Sequence, residues 1–215
     1  METLIKNFKQ VLIDFLFPRK PLDITAENLC QGAKRVENWD EKDTIVLFDY
    51  HDTLPKKLIW ELKYKNNGQA AKILAEAMYA EMLLQLGDWL AFENFEKPIL
   101  IPTPISKEKL QSRGYNQIEM LINEILKLDT EGNLTSEFEV VKKKKDTLDQ
   151  SSLKTKADRM KNLRDCFKVS NPSKIKGRNI ILIDDVVTTG STIKEIKKVL
   201  KKSGAKKVKA FVVAH

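Results

Sequence analysis

The residues best equipped for chemistry stand together near the end of the chain. There the apolar run Ile180, Ile181, Leu182, Ile183 meets Asp184 and Asp185, then passes through Val186 and Val187 into Thr188, Thr189, Gly190, Ser191 and Thr192. Ionised carboxylates only accept hydrogen bonds, which suits them to sugar hydroxyls. Hydroxyls beside a glycine, at the head of a helix whose first-turn N–H groups lack partners, suit a phosphate. Within so short a span the two sets fit a phosphorylated sugar, its anion on the 188–192 loop and its vicinal hydroxyls on Asp184 and Asp185. A plainer role exists for part of the loop, because Thr192 and Glu195 have the spacing of a capping box.

Paired acids after an apolar strand also occur in Walker B segments and in receiver domains. The first requires a G-x-x-x-x-G-K-[ST] loop, which is absent, and the second places its acids near the domain start, whereas this pair lies near the end.

Such a site must be held at the carboxyl ends of strands, where parallel α/β sheets gather ligands. The segments 44–48, 98–101, 138–143, 167–170, 179–184 and 207–214 read as strands. Between them helices are expected over 54–65, ended by Asn66, Asn67 and Gly68, and over 69–86, 115–128 and 192–203. Strands separated by helices of this length predict an α/β fold with a mainly parallel, doubly wound sheet covered on both faces. Ahead of it, Leu4, Ile5, Phe8, Val11, Leu12, Phe15 and Leu16 recur at helical spacing until Pro18. Docking on its own domain is the expected role of this stripe, with a partner or membrane surface as the alternative. A short helix is expected over 26–36, and the chain divides into a small N-terminal module, 1–43, and a main domain, 44–215.

With 215 residues, 42% of them hydrophobic, the chain is long enough to bury a core. Lys and Arg number 38 against 30 Asp and Glu, a net charge of +8 that favours polyanionic partners without choosing among them. Cys30 and Cys166 form no C-x-x-C pair, which predicts neither a disulfide framework nor a four-ligand zinc site and suits a reducing cytosol. No stretch approaches the roughly 20 apolar residues that span a bilayer. A soluble, cytoplasmic chain is expected.

The acid pair and its loop resemble the ribose-phosphate signature of type I phosphoribosyltransferases, in which an apolar strand leads to two acidic residues and a T-T-G-x-T loop. The resemblance implies binding of 5-phosphoribosyl-1-pyrophosphate, with Thr188 to Thr192 on the 5-phosphate, Asp184 and Asp185 near the ribose hydroxyls and Mg²⁺ on the pyrophosphate. A second stretch, "PILIPTPISKEKLQSRGYNQ" (98–117), reads locally as a Pro-stiffened loop and a helix cap. It also resembles the P-x-P loop and R-G-x-N-Q of ComF-type competence proteins. That likeness assigns Thr103, Pro104, Arg113, Asn116 and Gln117 to a pyrophosphate loop. A third stretch, 144–169, is polar and of a length suited to a cover over a site. Its Thr147, Gln150, Leu153, Arg159, Asn162 and Phe167 match that family's T-x-x-Q-x-x-L, R-x-x-N and aromatic positions. Residues 47–75 are also similar to that family, so the likeness spans most of 44–214. One departure is plain: the paired C-x-x-C motifs of the usual N-terminal zinc module are missing, Cys30 alone remaining, and no zinc is expected.

Transfer of a phosphoribosyl group needs placement and charge stabilisation more than a covalent nucleophile. No acceptor pocket is recognisable. Three readings therefore stay open: a phosphoribosyltransferase with an unassigned acceptor, a non-catalytic factor handling single-stranded DNA, or a nucleotide-responsive regulator on the same fold. Family likeness implies a role in DNA uptake and natural transformation, with single-stranded DNA and a competence helicase as partners. The lysines at 142–145 and at 197, 198, 201, 202, 206, 207 and 209 suit a phosphate backbone, but a wet helix face is the plainer account of the second group. Trp60, Tyr64, Tyr115 and Phe138 could stack bases, although aromatics at such positions are more often core.

Overall fold

The computed structural model of the chain describes residues 21–37, 39, 41, 43–144 and 166–215. The N-terminal apolar stripe and Thr147, Gln150, Leu153, Arg159 and Asn162 lie outside the described residues.

In chain order the elements are α1 (Ala26–Gly32), β1 (Thr44–Phe48), α2 (Thr53–Lys65), α3 (Gly68–Glu93), β2 (Ile99–Pro102), α4 (Lys107–Arg113), α5 (Gln117–Leu128), β3 (Thr135–Ser136), β4 (Val141–Lys143), β5 (Phe167–Val169), β6 (Asn179–Val186), α6 (Ser191–Lys202) and β7 (Lys207–Ala214). The main sheet has the order β1-β7-β6-β2-β3, and its neighbouring strands run parallel. Chain leaving β2 turns to β3 on one side, and chain leaving β6 turns to β7 on the other. The cleft between β2 and β6 is thus the topological switch point, where open α/β sheets bind ligands.

Strand side chains alternate between faces, so each strand feeds two cores. Leu100, Ile181, Ile183, Phe211 and Val213 meet Leu58 and Leu62 of α2, Leu74 and Met78 of α3 and Leu121 and Ile125 of α5. On the other face Ile99, Ile101, Ile180, Leu182, Val208 and Val212 meet Ile193, Ile196 and Leu200 of α6. Burial on both faces is what near-continuous apolar strands such as 180–183 require. Leu29 of α1 is fully buried in the first of these cores, and Arg35 forms an antiparallel bridge with Phe48.

Several expectations need correction. The segments 138–143 and 167–170 do not join the main sheet: β4 and β5 pair with each other, antiparallel, as a separate ribbon. Alternation marks a strand but not its neighbour. β3, too short to show a period, takes the edge beside β2. The 103–116 stretch is not all loop, since Ser106 caps α4 by accepting from Lys109 N at 3.2 Å. α3 runs on to Glu93, past the expected end at 86, and α1 stops at Gly32. Among the described residues no helix is long and apolar enough to cross a membrane.

Candidate functional site

β6 carries Asp184 and Asp185 to its carboxyl end, but pleating turns the two adjacent side chains in different directions. Asp185 is buried, and both of its oxygens are engaged. Oδ1 meets the Lys63 ammonium at 2.7 Å, and Oδ2 accepts from Gln117 Nε2 at 2.7 Å. Asp184 is only half-buried. It accepts from the Asp185 backbone N–H at 2.9 Å and from the Thr103 side chain. Burial, then the neighbouring Asp185 charge, pushes the Asp184 carboxyl up to about 7, against the opposing pull of Thr103 and Lys63.

Thr103 arrives from the end of β2, its backbone N–H donating to Ile183 O at 3.0 Å. The start of the 98–117 stretch is thereby stitched to the acid pair. Its far end arrives through α5. Gln117 is buried beside Asp185 and accepts from Arg113 Nη1 at 2.8 Å. The Arg113 guanidinium lies 5.2 Å from the centre of the Tyr64 ring. Asn116 caps α5, accepting from Ile118 N at 3.0 Å. Tyr115 donates its hydroxyl proton to Leu62 O at 2.8 Å and accepts from Asn66 N at 2.9 Å.

The last turn of α2 therefore belongs to the site, although the family likeness over 47–75 gave Lys63 no role. Lys63 and Tyr64 are neighbours in the chain, and the path Lys63, Asp185, Gln117, Arg113, Tyr64 closes on itself through α2, β6, α5 and α4. A lysine in an amphipathic helix reads as a solvated one, and only the packing of α2 beside β6 shows otherwise. For Lys63 burial works to lower the pKa, and the Asp185 charge and contact outweigh it, so the ammonium titrates above its ordinary value.

The 188–192 loop leads into α6 through Gly190, which takes a left-handed φ of 71°. Gly190 is the N-cap and, having no side chain, makes no cap hydrogen bond itself, so the helix opens at Ser191, one residue before the expected start, with Gly190 and not Thr192 at the N-cap position. The helix start lies within the hydroxyl loop itself, which leaves its first-turn N–H groups facing the loop. Thr189 and Ser191 share a hydrogen bond of 2.8 Å. Trp39 lies over the loop, 3.5 Å from where a Cβ on Gly190 would stand, and edges against His215 with ring centres 4.4 Å apart. Sequence reasoning had no signal for Trp39, which is distant in the chain.

The structure thus brings Asp184, Asp185, Thr103, Arg113 and Gln117 together, and places Thr188 to Thr192 directly after the acid pair on the β6–α6 connection. Lys197 and Lys209 depart from the wet-face account. They are buried, Lys197 donating to Thr44 Oγ1 at 2.7 Å and Lys209 meeting Glu93 at 2.7 Å. Trp60 and Tyr64 reverse the core expectation: they are 48% and 63% exposed, with Lys65 over the Trp60 ring at 4.7 Å. Both lie on the outward side of α2.

A family model of the phosphoribosyl transferase domain matches residues 112–215. With the parallel sheet and its switch point, this match defines an α/β fold of the type I phosphoribosyltransferase kind. Competence protein F of Haemophilus influenzae is 30% identical over 196 residues, covering 90% of this chain and 81% of that protein. The DNA utilization protein YhgH of Escherichia coli (strain K12) is 28% identical over 209 residues, covering 93% and 84%. Competence protein ComFC of Streptococcus pneumoniae is 26% identical over 165 residues, covering 77% and 64%. The chain belongs to the ComF-type competence protein family.

Proposed function

We propose that the switch-point cleft binds 5-phosphoribosyl-1-pyrophosphate together with Mg²⁺. The observation that carries this reading is Asp184. It is a half-buried carboxylate bonded to Thr103 at the end of β2, one short connection before Gly190, the N-cap of α6. Asp184 accepts from the sugar hydroxyls, the 188–192 amides and hydroxyls take the 5-phosphate, and the segment after β2 faces the pyrophosphate. Among the described residues no three or more His, Cys, Asp or Glu side chains are grouped to hold an ion by themselves. That donor set fits an ion brought in on substrate phosphates, since Mg²⁺ is commonly held by one or two carboxylates plus phosphate oxygens. When bound, the ion neutralises charge on the departing pyrophosphate. The protein's share is placement: it holds the sugar, the phosphate and the leaving group at fixed points and leaves the acceptor unassigned.

The test is thermal denaturation with ligand and Mg²⁺. At about 100 times its dissociation constant a specific ligand stabilises by about 2.7 kcal/mol. The double variant Asp184→Asn, Asp185→Asn should lose that shift, and a shift of equal size in the variant would reject the site.

Relatives named for competence and DNA utilization support a role for this chain in DNA uptake. A second reading, binding of single-stranded DNA, is favoured by the exposed rings of Trp60 and Tyr64 with cations over them, an arrangement suited to stacking bases. Its signature is affinity for an oligothymidine that falls steeply with salt and is lost in Trp60→Ala, Tyr64→Ala. No affinity at low salt would end it.

A further inference from the structure

The phosphoribosyl reading puts Asp184 on the sugar and gives Asp185 and Lys63 no role. The geometry separates the two aspartates. Asp185 has one oxygen on Lys63 and the other on Gln117, so it offers a sugar little. Asp184 is the more exposed of the two and has no cation bonded to it among the described residues. We propose that Lys63 is a ligand-contacting residue of this site, its ammonium taking the diphosphate of the sugar phosphate while Asp184 receives the hydroxyls. The inference rests on the phosphoribosyl reading and deepens it.

Three observations support the assignment. An ammonium has three donors and the Asp185 contact uses one of them. The Lys63 side chain is 17% exposed, so it is not sealed from solvent behind Asp185, whose side chain is 6% exposed. Charge points the same way. Two carboxylates alone would repel a diphosphate, whereas the Lys63 ammonium offsets the Asp185 charge at 2.7 Å and burial holds the Asp184 carboxyl at about 7, so that the acid pair is not a full double negative charge.

The arrangement is also firmly placed. Lys63 and Tyr64 are consecutive, and Arg113 lies over Tyr64 while bonding to the Gln117 that holds Asp185. The ring of contacts sets both cations at fixed points around the acid pair. A partly buried ion pair is weak evidence of a stabilising role, because desolvation offsets the attraction. Ligand binding gives this one a reason to exist.

The experiment is calorimetric titration of the full chain and of Lys63→Met and Lys63→Arg with three probes: Mg²⁺ plus 5-phosphoribosyl-1-pyrophosphate, Mg²⁺ plus pyrophosphate, and ribose 5-phosphate. Lys63→Met should weaken both diphosphate-bearing probes by about tenfold or more, the scale of a lost hydrogen bond to a charged group, and change ribose 5-phosphate by less than about twofold. Lys63→Arg should recover most of the loss. Equal losses for all three probes, or no loss, would overturn the assignment and leave Lys63 a packing residue, with the phosphoribosyl reading intact. A wild-type chain that binds none of the probes overturns both. If Lys63→Met does not fold, Lys63→Gln, which keeps an uncharged donor on Asp185, carries the same comparison.

Discussion

Asp184 and Asp185 show how far one residue step on a strand changes a carboxylate. Asp185 is buried and matched by a cation and an amide, and the more exposed Asp184 has the Thr103 hydroxyl, its neighbour's backbone N–H and a like charge beside it. Since the folded-state pKa of Asp184, about 7, lies above its ordinary 3.8, the folded chain binds that proton more tightly than the unfolded chain. Its contribution to stability is fully present below about pH 4 and is lost as pH rises through 7. Asp184→Asn should therefore raise the melting temperature of the ligand-free protein at pH 8 by several degrees, on the order of 2 kcal/mol, and by progressively less as pH falls toward 5. A constant difference across that range would show that the carboxyl does not titrate as described. The pair was legible in the sequence because two acids ending an apolar run are unusual. Which of them faces the ligand was not, since that depends on Lys63 and Gln117, 122 and 68 residues from Asp185 in the chain.

At the scale of elements, the entry to α6 is the most exposed to test. Gly190 has a left-handed backbone, and a methyl group there would meet only ordinary contact with Trp39. Conformational strain alone predicts that Gly190→Ala lowers stability by about 1 kcal/mol, with weaker binding of the sugar phosphate as the loop shifts. Unchanged melting and unchanged affinity would show that the loop tolerates a different path. The helices over 53–65 and 191–202 and the strand over 207–214 follow closely from apolar period and from stops such as Asn66 and Asn67, whose local physics needs no partner. β4 and β5 did not follow. Both were readable as strands, but pairing is a relation between segments, and their separation from the sheet depends on what flanks each of them in space.

For the whole molecule, the basic charge is not one uniform surface. Lys209 is buried, with its ammonium 4.3 Å from the Trp89 ring centre and within 3.3 Å of Asp43, so it joins β7 to α3 and to the chain before β1. Lys207 meets Glu93 beside it. For Lys209 the packed stem should matter more than the charge. Lys209→Met should stay within about 1 kcal/mol of the wild type, and Lys209→Ala should cost about 2–3 kcal/mol in denaturant unfolding. Equal losses would assign the stability to the ion pairs. The sequence by itself determined the strand–helix alternation, the acid pair with its hydroxyl loop and the family, because each is written in residue types at short spacing. Only the tertiary structure decided the strand order, the separate ribbon, the burial of Lys197 and Lys209, and the entry of Lys63 into the site. Those depend on packing between distant segments, where burial and the pairing of charges act across space and leave no local pattern.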